Sequence, residues 1–254
     1  MFADERREKI EQYILNHGAA TVLELSEIYN VSEVTIRKDL DELSRIGQIS
    51  RTHGGAVTKY HTREDLRIRD LSIRHPQEKK RIAAKALEYI ENGDSIILDM
   101  STTTLALALL INDCAVKDLT VVTPSIVISR ALSREDINVI LLGGYLNKKM
   151  DAVTGPITQN QIRSLNVDKA FVGTDGVDPE YGISTGSFDD AAVKIAMRES
   201  SKRFYILTDH SKFHKRFMAR IMKLEEIDII ITDRREDWDY SSYEKRTDLI
   251  FADS

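Results

Sequence analysis

One cysteine, Cys114, stands alone in 254 residues, so no internal disulfide can form, and such a chain suits a reducing compartment. Long apolar runs are missing as well: nothing approaches the ~18 consecutive apolar residues of a membrane helix. The opening "MFADERREKI" is charged from residue 4 onward and lacks the apolar centre of a signal peptide. Neither G-x-G-x-x-G nor a Walker sequence occurs, so no nucleotide cofactor is expected, and none of any other kind. There is no tract of low complexity and no fixed-period repeat. These absences describe a soluble, cytoplasmic chain with no membrane partner.

Positive charge is also in deficit. Lys and Arg number 36 against 41 Asp and Glu, a net charge of −5, which taken alone argues against a nucleic-acid partner. Its distribution argues the other way. Arg37, Lys38, Arg45, Arg51 and Lys59 follow one another, and residues 63–81 carry seven basic groups against four acids. An acidic protein with one basic face remains open.

The first 58 residues hold three short helical patterns. Ile10, Tyr13 and Ile14 recur at helical spacing, and the pattern ends near His17-Gly18. Thr21 followed by Glu24 is a capping-box signature, with Val22, Leu25 and Ile28 as the apolar face behind it. Ser32 is the expected N-cap of a third helix running to about Ile46. "QISR", a Gly54-Gly55 turn and "AVT" then read as a two-stranded wing.

On the third helix, advancing 100° per residue from Ile36 brings Leu40 and Leu43 within about 40° of it, a buried stripe. Val34, Arg37, Lys38, Asp41 and Arg45 occupy the opposite side, with Thr35 on the flank. An exposed valine beside two cations in the first turns suits a recognition helix in the major groove. Arg37 or Lys38 would reach guanine acceptors or phosphate, and Val34 or Thr35 a thymine methyl. Arg51 and His53 on the wing would meet backbone or minor groove. The plainer alternative is an interaction module with a solvated charged face.

Residues 59–76 are polar, basic and aperiodic, a linker. From 77 to 254, apolar runs alternate with helical patterns: "SIILD", "LTVVT", "NVILLGG", "KAFVGTDG", "RFYILTD", "IDIIITD" and "DLIFAD". That alternation predicts a largely parallel α/β sheet covered on both faces. Ligands of such sheets sit beyond the carboxyl ends of the strands, where polar clusters gather here. "SIILD" leads into Ser101-Thr102-Thr103-Thr104 and a helix, a pattern for binding phosphate as well as for simple capping. Gly143-Gly144 permits close backbone approach. Asp175 would accept sugar hydroxyls, and Lys212 follows Asp209 and Ser211 as a charge for phosphate. His210 and His214 lie four apart, but further metal ligands are missing, so no metal site is expected. Cys114 is assigned to packing, and Trp238 receives no role.

"VSEVTIRKDLDELSRIGQISRTHGGA" resembles the signature of the DeoR family of bacterial sugar-metabolism repressors, and the likeness extends over the whole chain. It implies an N-terminal winged helix-turn-helix and a larger α/β sensor domain similar to ribose-phosphate isomerase and coenzyme A transferases. Ser32, Thr35, Arg37 and Lys38 would then lie at the DNA. Asp99, Ser101, Thr102, Thr103, Gly143, Gly144, Asp175, Lys194 and Lys212 would line a phosphosugar pocket. One departure stands out: the family pattern usually has glycine where this chain has Ser101, which restricts φ in the phosphate loop. The expected function is a repressor of a carbohydrate-utilisation operon, with operator DNA and a phosphorylated sugar as partners. A homodimer or homotetramer would read paired half-sites. The alternatives are a sugar-phosphate isomerase with Asp175 or Asp209 as base, and a protein–protein adaptor.

Overall fold

The computed structural model describes residues 3–17, 19–45, 49–52, 54–58 and 75–252. The chain separates into two compact units, Met1–Leu66 and Arg67–Ser254.

In the smaller unit, α1 (Ala3–His17), α2 (Val22–Tyr29) and α3 (Glu33–Arg45) enclose a core of Ile10, Ile14, Leu25, Ile36, Leu40 and Leu43. The capping box at α2 forms: the Glu24 amide donates to Thr21 Oγ1 at 3.1 Å, and the Thr21 amide to Glu24 Oε2 at 3.3 Å. Asn30 closes α2 in the left-handed region at φ 51°, which turns the chain into α3. Ile28 departs from expectation and is 47% exposed. Each i+3 step falls short of a full turn by about 60°, so two steps from Val22 carry Ile28 off the buried face.

The wing has a third strand. β2 (Ile49–Arg51) and β3 (Gly55–Thr58) pair antiparallel as expected, but β1 (Ala19–Thr21) adds to the far side of β3. Its three residues are too few for a periodicity signal, and the pairing Ala19↔Val57 is made across the whole unit. Gly55 is required here: a Cβ would lie 2.1 Å from the Ala20 carbonyl oxygen. Of the 59–76 stretch, residues 59–74 lie outside the described residues, while Pro76 already opens a helix.

The larger unit is built on a seven-stranded parallel sheet. In chain order its strands are β4 (Ser95–Leu98), β5 (Thr120–Thr123), β6 (Asn138–Leu141), β9 (Val167–Val172), β12 (Ser201–Leu207), β14 (Ile229–Thr232) and β15 (Asp248–Phe251). In space they run β15-β14-β12-β9-β4-β5-β6. Successive residues alternate between two cores. Ile96, Leu98, Tyr205 and Leu207 pack under α4 (Pro76–Leu87), α5 (Thr102–Asp113) and α6 (Ile126–Ala131). Ile97, Phe204 and Ile206 pack under α7 (Pro156–Arg163) and α8 (Phe188–Glu199). Both faces of the five inner strands are therefore largely buried, which is why these read as apolar runs, while the edge strands β6 and β15 stay partly exposed. Two small sheets decorate the rim: a hairpin of β7 (Tyr145–Asn147) and β8 (Ala152–Thr154), and β10 (Gly176–Asp178), β11 (Gly182–Thr185) and β13 (Ala219–Met222). A short helix α9 (Ser241–Glu244) precedes β15. The strand order reverses between β4 and β9, so a crevice opens at their carboxyl ends.

Candidate functional site

The outer face of α3 is arranged by its inner one. Asp39, 2% exposed, accepts from Arg6 Nε at 2.6 Å and from Arg7 Nε at 3.2 Å, which ties α3 to α1. At the helix start the Ser32 hydroxyl accepts from the Thr35 amide at 3.2 Å and bonds Thr35 Oγ1 at 2.9 Å. Val34 is then left 59% exposed, beside exposed Arg37 and Lys38.

The cations on this surface differ. Arg37 pairs with Glu33 at 2.7 Å and Arg45 with Glu42 at 2.6 Å, both exposed pairs of a kind worth about 0–1 kcal/mol and easily exchanged for phosphate. Lys38 has no ion pair among the described residues. Arg51 is committed within the molecule: its Nε meets Asp41 at 2.9 Å, and Nη1 donates to the Gly55 carbonyl at 2.9 Å, holding the wing to α3. His53 lies outside the described residues.

In the larger unit, Asp99 sits fully buried at the switch point, just beyond β4. Its Oδ2 accepts from the Gly173 amide at 2.9 Å, and its Oδ1 from the Ser101 amide at 3.0 Å and the Thr104 hydroxyl at 2.8 Å. One carboxylate thus stitches the ends of β4 and β9 to the start of α5. Lys194, 5% exposed, reaches it from α8 at 3.5 Å and Asp190 at 2.8 Å. Burial disfavours the ammonium, but Asp190 and Asp99 outweigh burial, so Lys194 is held charged above its ordinary range. Asp175 Oδ2 accepts from Thr185 Oγ1 at 2.8 Å and the Gly186 amide at 3.1 Å. Asp190 Oδ1 is buried without a hydrogen-bond partner among the described residues.

The "STTT" stretch divides its labour. Ser101 caps α5 by accepting from the Thr104 amide at 3.2 Å, and Thr103 and Thr104 are buried. Ser101 and Thr102 face a shallow groove with Leu105, Ser125, Val127 and Met150. The amides of Thr102 and Thr103, in the first turn, have no acceptor within the helix. Gly173 explains how the loop admits a serine: a Cβ on it would lie 2.5 Å from that of Ser101.

Other predicted positions serve the fold. Gly143 and Gly144 lie against α7: the Gly143 amide donates to Gln161 Oε1 at 2.8 Å, and a Cβ on Gly144 would fall 2.0 Å from Thr158 Oγ1. Lys212 is half-buried on a 3-10 turn (His210–Lys212) capped by Asp209, whose Oδ1 accepts from the Ser211 amide at 3.0 Å. His210 Nδ1 meets Asp233 Oδ2 at 2.5 Å, and His214 Nδ1 meets the Tyr243 hydroxyl at 3.2 Å. Trp238, unassigned from sequence, stands edge-on to both histidines, with centroids at 6.0 and 5.1 Å. Among the described residues no three His, Cys, Asp or Glu side chains gather to hold a metal ion.

Three functional positions escaped the sequence reading: Asp39, Asp190 and Thr185. Asp190 left a signal of its partner, its i,i+4 spacing to Lys194. Asp39 falls about 60° from Ile36 and was legible as buried, but its partners lie on another helix.

Comparison with known proteins adds the context. Residues 6–62 match the family model of the DeoR-like helix-turn-helix domain, and residues 74–234 that of the DeoR C-terminal sensor domain. The chain is 35% identical over 239 residues to the HTH-type transcriptional repressor GlcR of Bacillus subtilis, covering 92% of this chain and 90% of that one. It is 33% identical over 241 residues to the HTH-type transcriptional regulator GlpR of Haloferax volcanii, covering 94% and 93%. Among solved structures, ribose 5-phosphate isomerase from Plasmodium falciparum aligns with a TM-score of 0.40 at 21% identity, over 53% of this chain and 52% of that one.

Proposed function

The chain belongs to the DeoR family of helix-turn-helix transcriptional regulators, and from that premise we propose that it represses a carbohydrate-utilisation operon under control of a phosphorylated sugar. In this reading α3 enters the major groove of the operator. Lys38 meets a base edge or phosphate, Arg37 exchanges Glu33 for phosphate, and Val34 and Thr35 offer methyl contacts. Ser32 sets the helix start against the backbone, with Arg45 and the wing at the flanks. The observation that carries the reading is Val34, 59% exposed beside Lys38, which has no ion pair among the described residues, on a helix anchored from behind by Asp39. A solvated face has no use for that valine.

The sugar phosphate binds at the β4–β9 switch point. Its phosphate sits on the first turn of α5, against the Thr102 and Thr103 amides and the Ser101 and Thr102 hydroxyls, with Lys212 adding charge. Its hydroxyls donate to Asp175 and to the free oxygen of Asp190. Lys194 is already neutralised by carboxylates, so it orders those acceptors rather than gripping phosphate. The effector acts through residues 59–76, binding the operator-competent and released states with different affinity.

The test is a mobility-shift titration with a duplex from the adjoining promoter, in rising salt and then with a panel of sugar phosphates. Binding that falls steeply with salt, and a sugar phosphate that both raises the melting temperature and alters the complex, are expected. Unphosphorylated sugars acting equally well would overturn the phosphate assignment.

A further inference from the structure

His210 opens the 3-10 turn that carries Ser211 and Lys212, and it is fixed twice to one carboxylate. Its amide donates to Asp233 Oδ1 at 2.7 Å, and its ring Nδ1 to Asp233 Oδ2 at 2.5 Å. A carboxylate only accepts, so Nδ1 carries the hydrogen. Asp233, buried just beyond β14, thereby locks the imidazole to the backbone of its own turn. That turn is closed in its own right: the Lys212 amide donates to the Asp209 carbonyl at 3.0 Å, and the Phe213 amide to the His210 carbonyl at 3.1 Å. Ring and turn are one body, so a pull on Lys212 reaches the imidazole.

The imidazole meets two further rings. One is Trp238, whose face is covered by the Arg235 guanidinium at 5.2 Å. The other is His75, edge-on with centroids 5.2 Å apart. His75 directly precedes Pro76, the first residue of α4, and so ends the stretch that leads out of the smaller unit. It stands at the N-cap, where a side chain ordinarily bonds the first turn from an extended backbone. His75 does neither: it makes no side-chain capping bond, and its backbone is left-handed at φ 54°. A residue with a Cβ holds that conformation only where its surroundings impose it. Any apolar side chain could fill space beside His75. Asp233 instead devotes both oxygens to orienting this one ring.

We propose that His210 is the positioning residue that carries effector binding to the linker. Phosphate held by Lys212 shifts the turn, and the His210 ring resets the seat of His75 at the linker's end. The inference deepens the effector reading given above and rests on its phosphate site. The route is short: one turn from Lys212 to His210, one ring contact to His75, one peptide bond to residue 74. Coupling arises because phosphate binds the two seatings with unequal affinity.

The test digests the full chain with trypsin and follows by mass the fragment that begins at His75. Cleavage of the Arg74–His75 bond tracks how often His75 leaves its seat. The probe is millimolar inorganic phosphate, compared with chloride at equal ionic strength. Phosphate should raise the wild-type melting temperature and change the cleavage rate about fivefold or more. His210→Asn keeps an amide donor for Asp233 but lacks the ring. It should be cut faster without phosphate and respond to phosphate no further, while phosphate still raises its melting temperature. His75→Asn is the second variant, because asparagine tolerates the left-handed backbone and the substitution leaves Lys212 and the Asp233 clamp as they are. It should behave like the first. A purely structural role would lower the melting temperature yet leave the phosphate response of cleavage in place, and that result overturns the proposal. So does a wild type whose melting temperature rises with phosphate while its cleavage ignores it. A wild type whose melting temperature ignores phosphate removes the phosphate site itself, and the proposal with it.

Discussion

Arg6 and Asp39 form a buried pair across the smaller unit, with Nε–Oδ2 at 2.6 Å and Nη2–Oδ1 at 3.3 Å, so the helix that faces outward is held by its neighbour from within. Removing one partner strands the other charge out of water. Asp39→Ala is expected to cost about 3–5 kcal/mol in chemical denaturation of the smaller unit. It should abolish duplex binding although Asp39 touches no DNA. An unchanged denaturation midpoint would mean that the pair does not anchor α3.

Lys38→Ala should leave the fold intact, since the side chain is exposed and without an ion pair among the described residues. Duplex affinity should fall, and if the contact is to phosphate the slope of log affinity against log salt should shrink by about one. Arg51→Ala should instead lower stability, because Arg51 joins Asp41 to the Gly55 carbonyl. Equal stability losses in both variants would contradict this division.

Gly173 and Ser101 occupy one another's space. Gly173→Ala sets a methyl 2.5 Å from the Ser101 Cβ and should destabilise the larger unit by about 1–3 kcal/mol. Adding Ser101→Gly vacates that space and should restore most of the loss. A double variant no better than the single one would refute the steric account.

Lys194→Met leaves Asp99 and Asp190 facing each other without their cation, and should cost about 3–5 kcal/mol in thermal or chemical unfolding. Asp190→Asn in the same chain removes one of the stranded charges. The double variant should be the more stable of the two, and additive losses would count against a shared network.

Alkaline stability reports on Tyr243. Burial raises its hydroxyl from 10.0 to about 12, because the phenolate would leave water. A pKa raised on folding gives stability that is complete below pH 10 and lost as pH climbs through 12. Tyr243→Phe should flatten the fall in melting temperature between those values, and an unaltered profile would rule Tyr243 out as its source.

Much of the architecture was legible in the residues. Each of the seven apolar runs is a strand of the large sheet, and burial on both faces accounts for the five inner ones, whereas the edge strands β6 and β15 are apolar yet partly exposed. Thr21 and Glu24 cap as their spacing predicts, and the Ser32 hydroxyl accepts from the Thr35 amide. What escaped was short or non-local. β1, β7 and β8 have three residues each, too few for a periodicity signal, and β1 exists only through its distant partner β3. The glycines at 143 and 144 were legible as a close approach, but the approaching group is α7.

By itself the sequence determined the local facts: which residues cap, which stripe of α3 turns inward, which runs become strands. These depend on neighbours within a few positions. Tertiary structure decided which charges are spent and which are free. Arg51 and Lys38 are both cations near α3, yet only contacts closed across the fold commit one to Asp41 and leave the other to solvent. Ion pairing depends on distance in space, and a linear string of residues does not encode that distance until the core has packed.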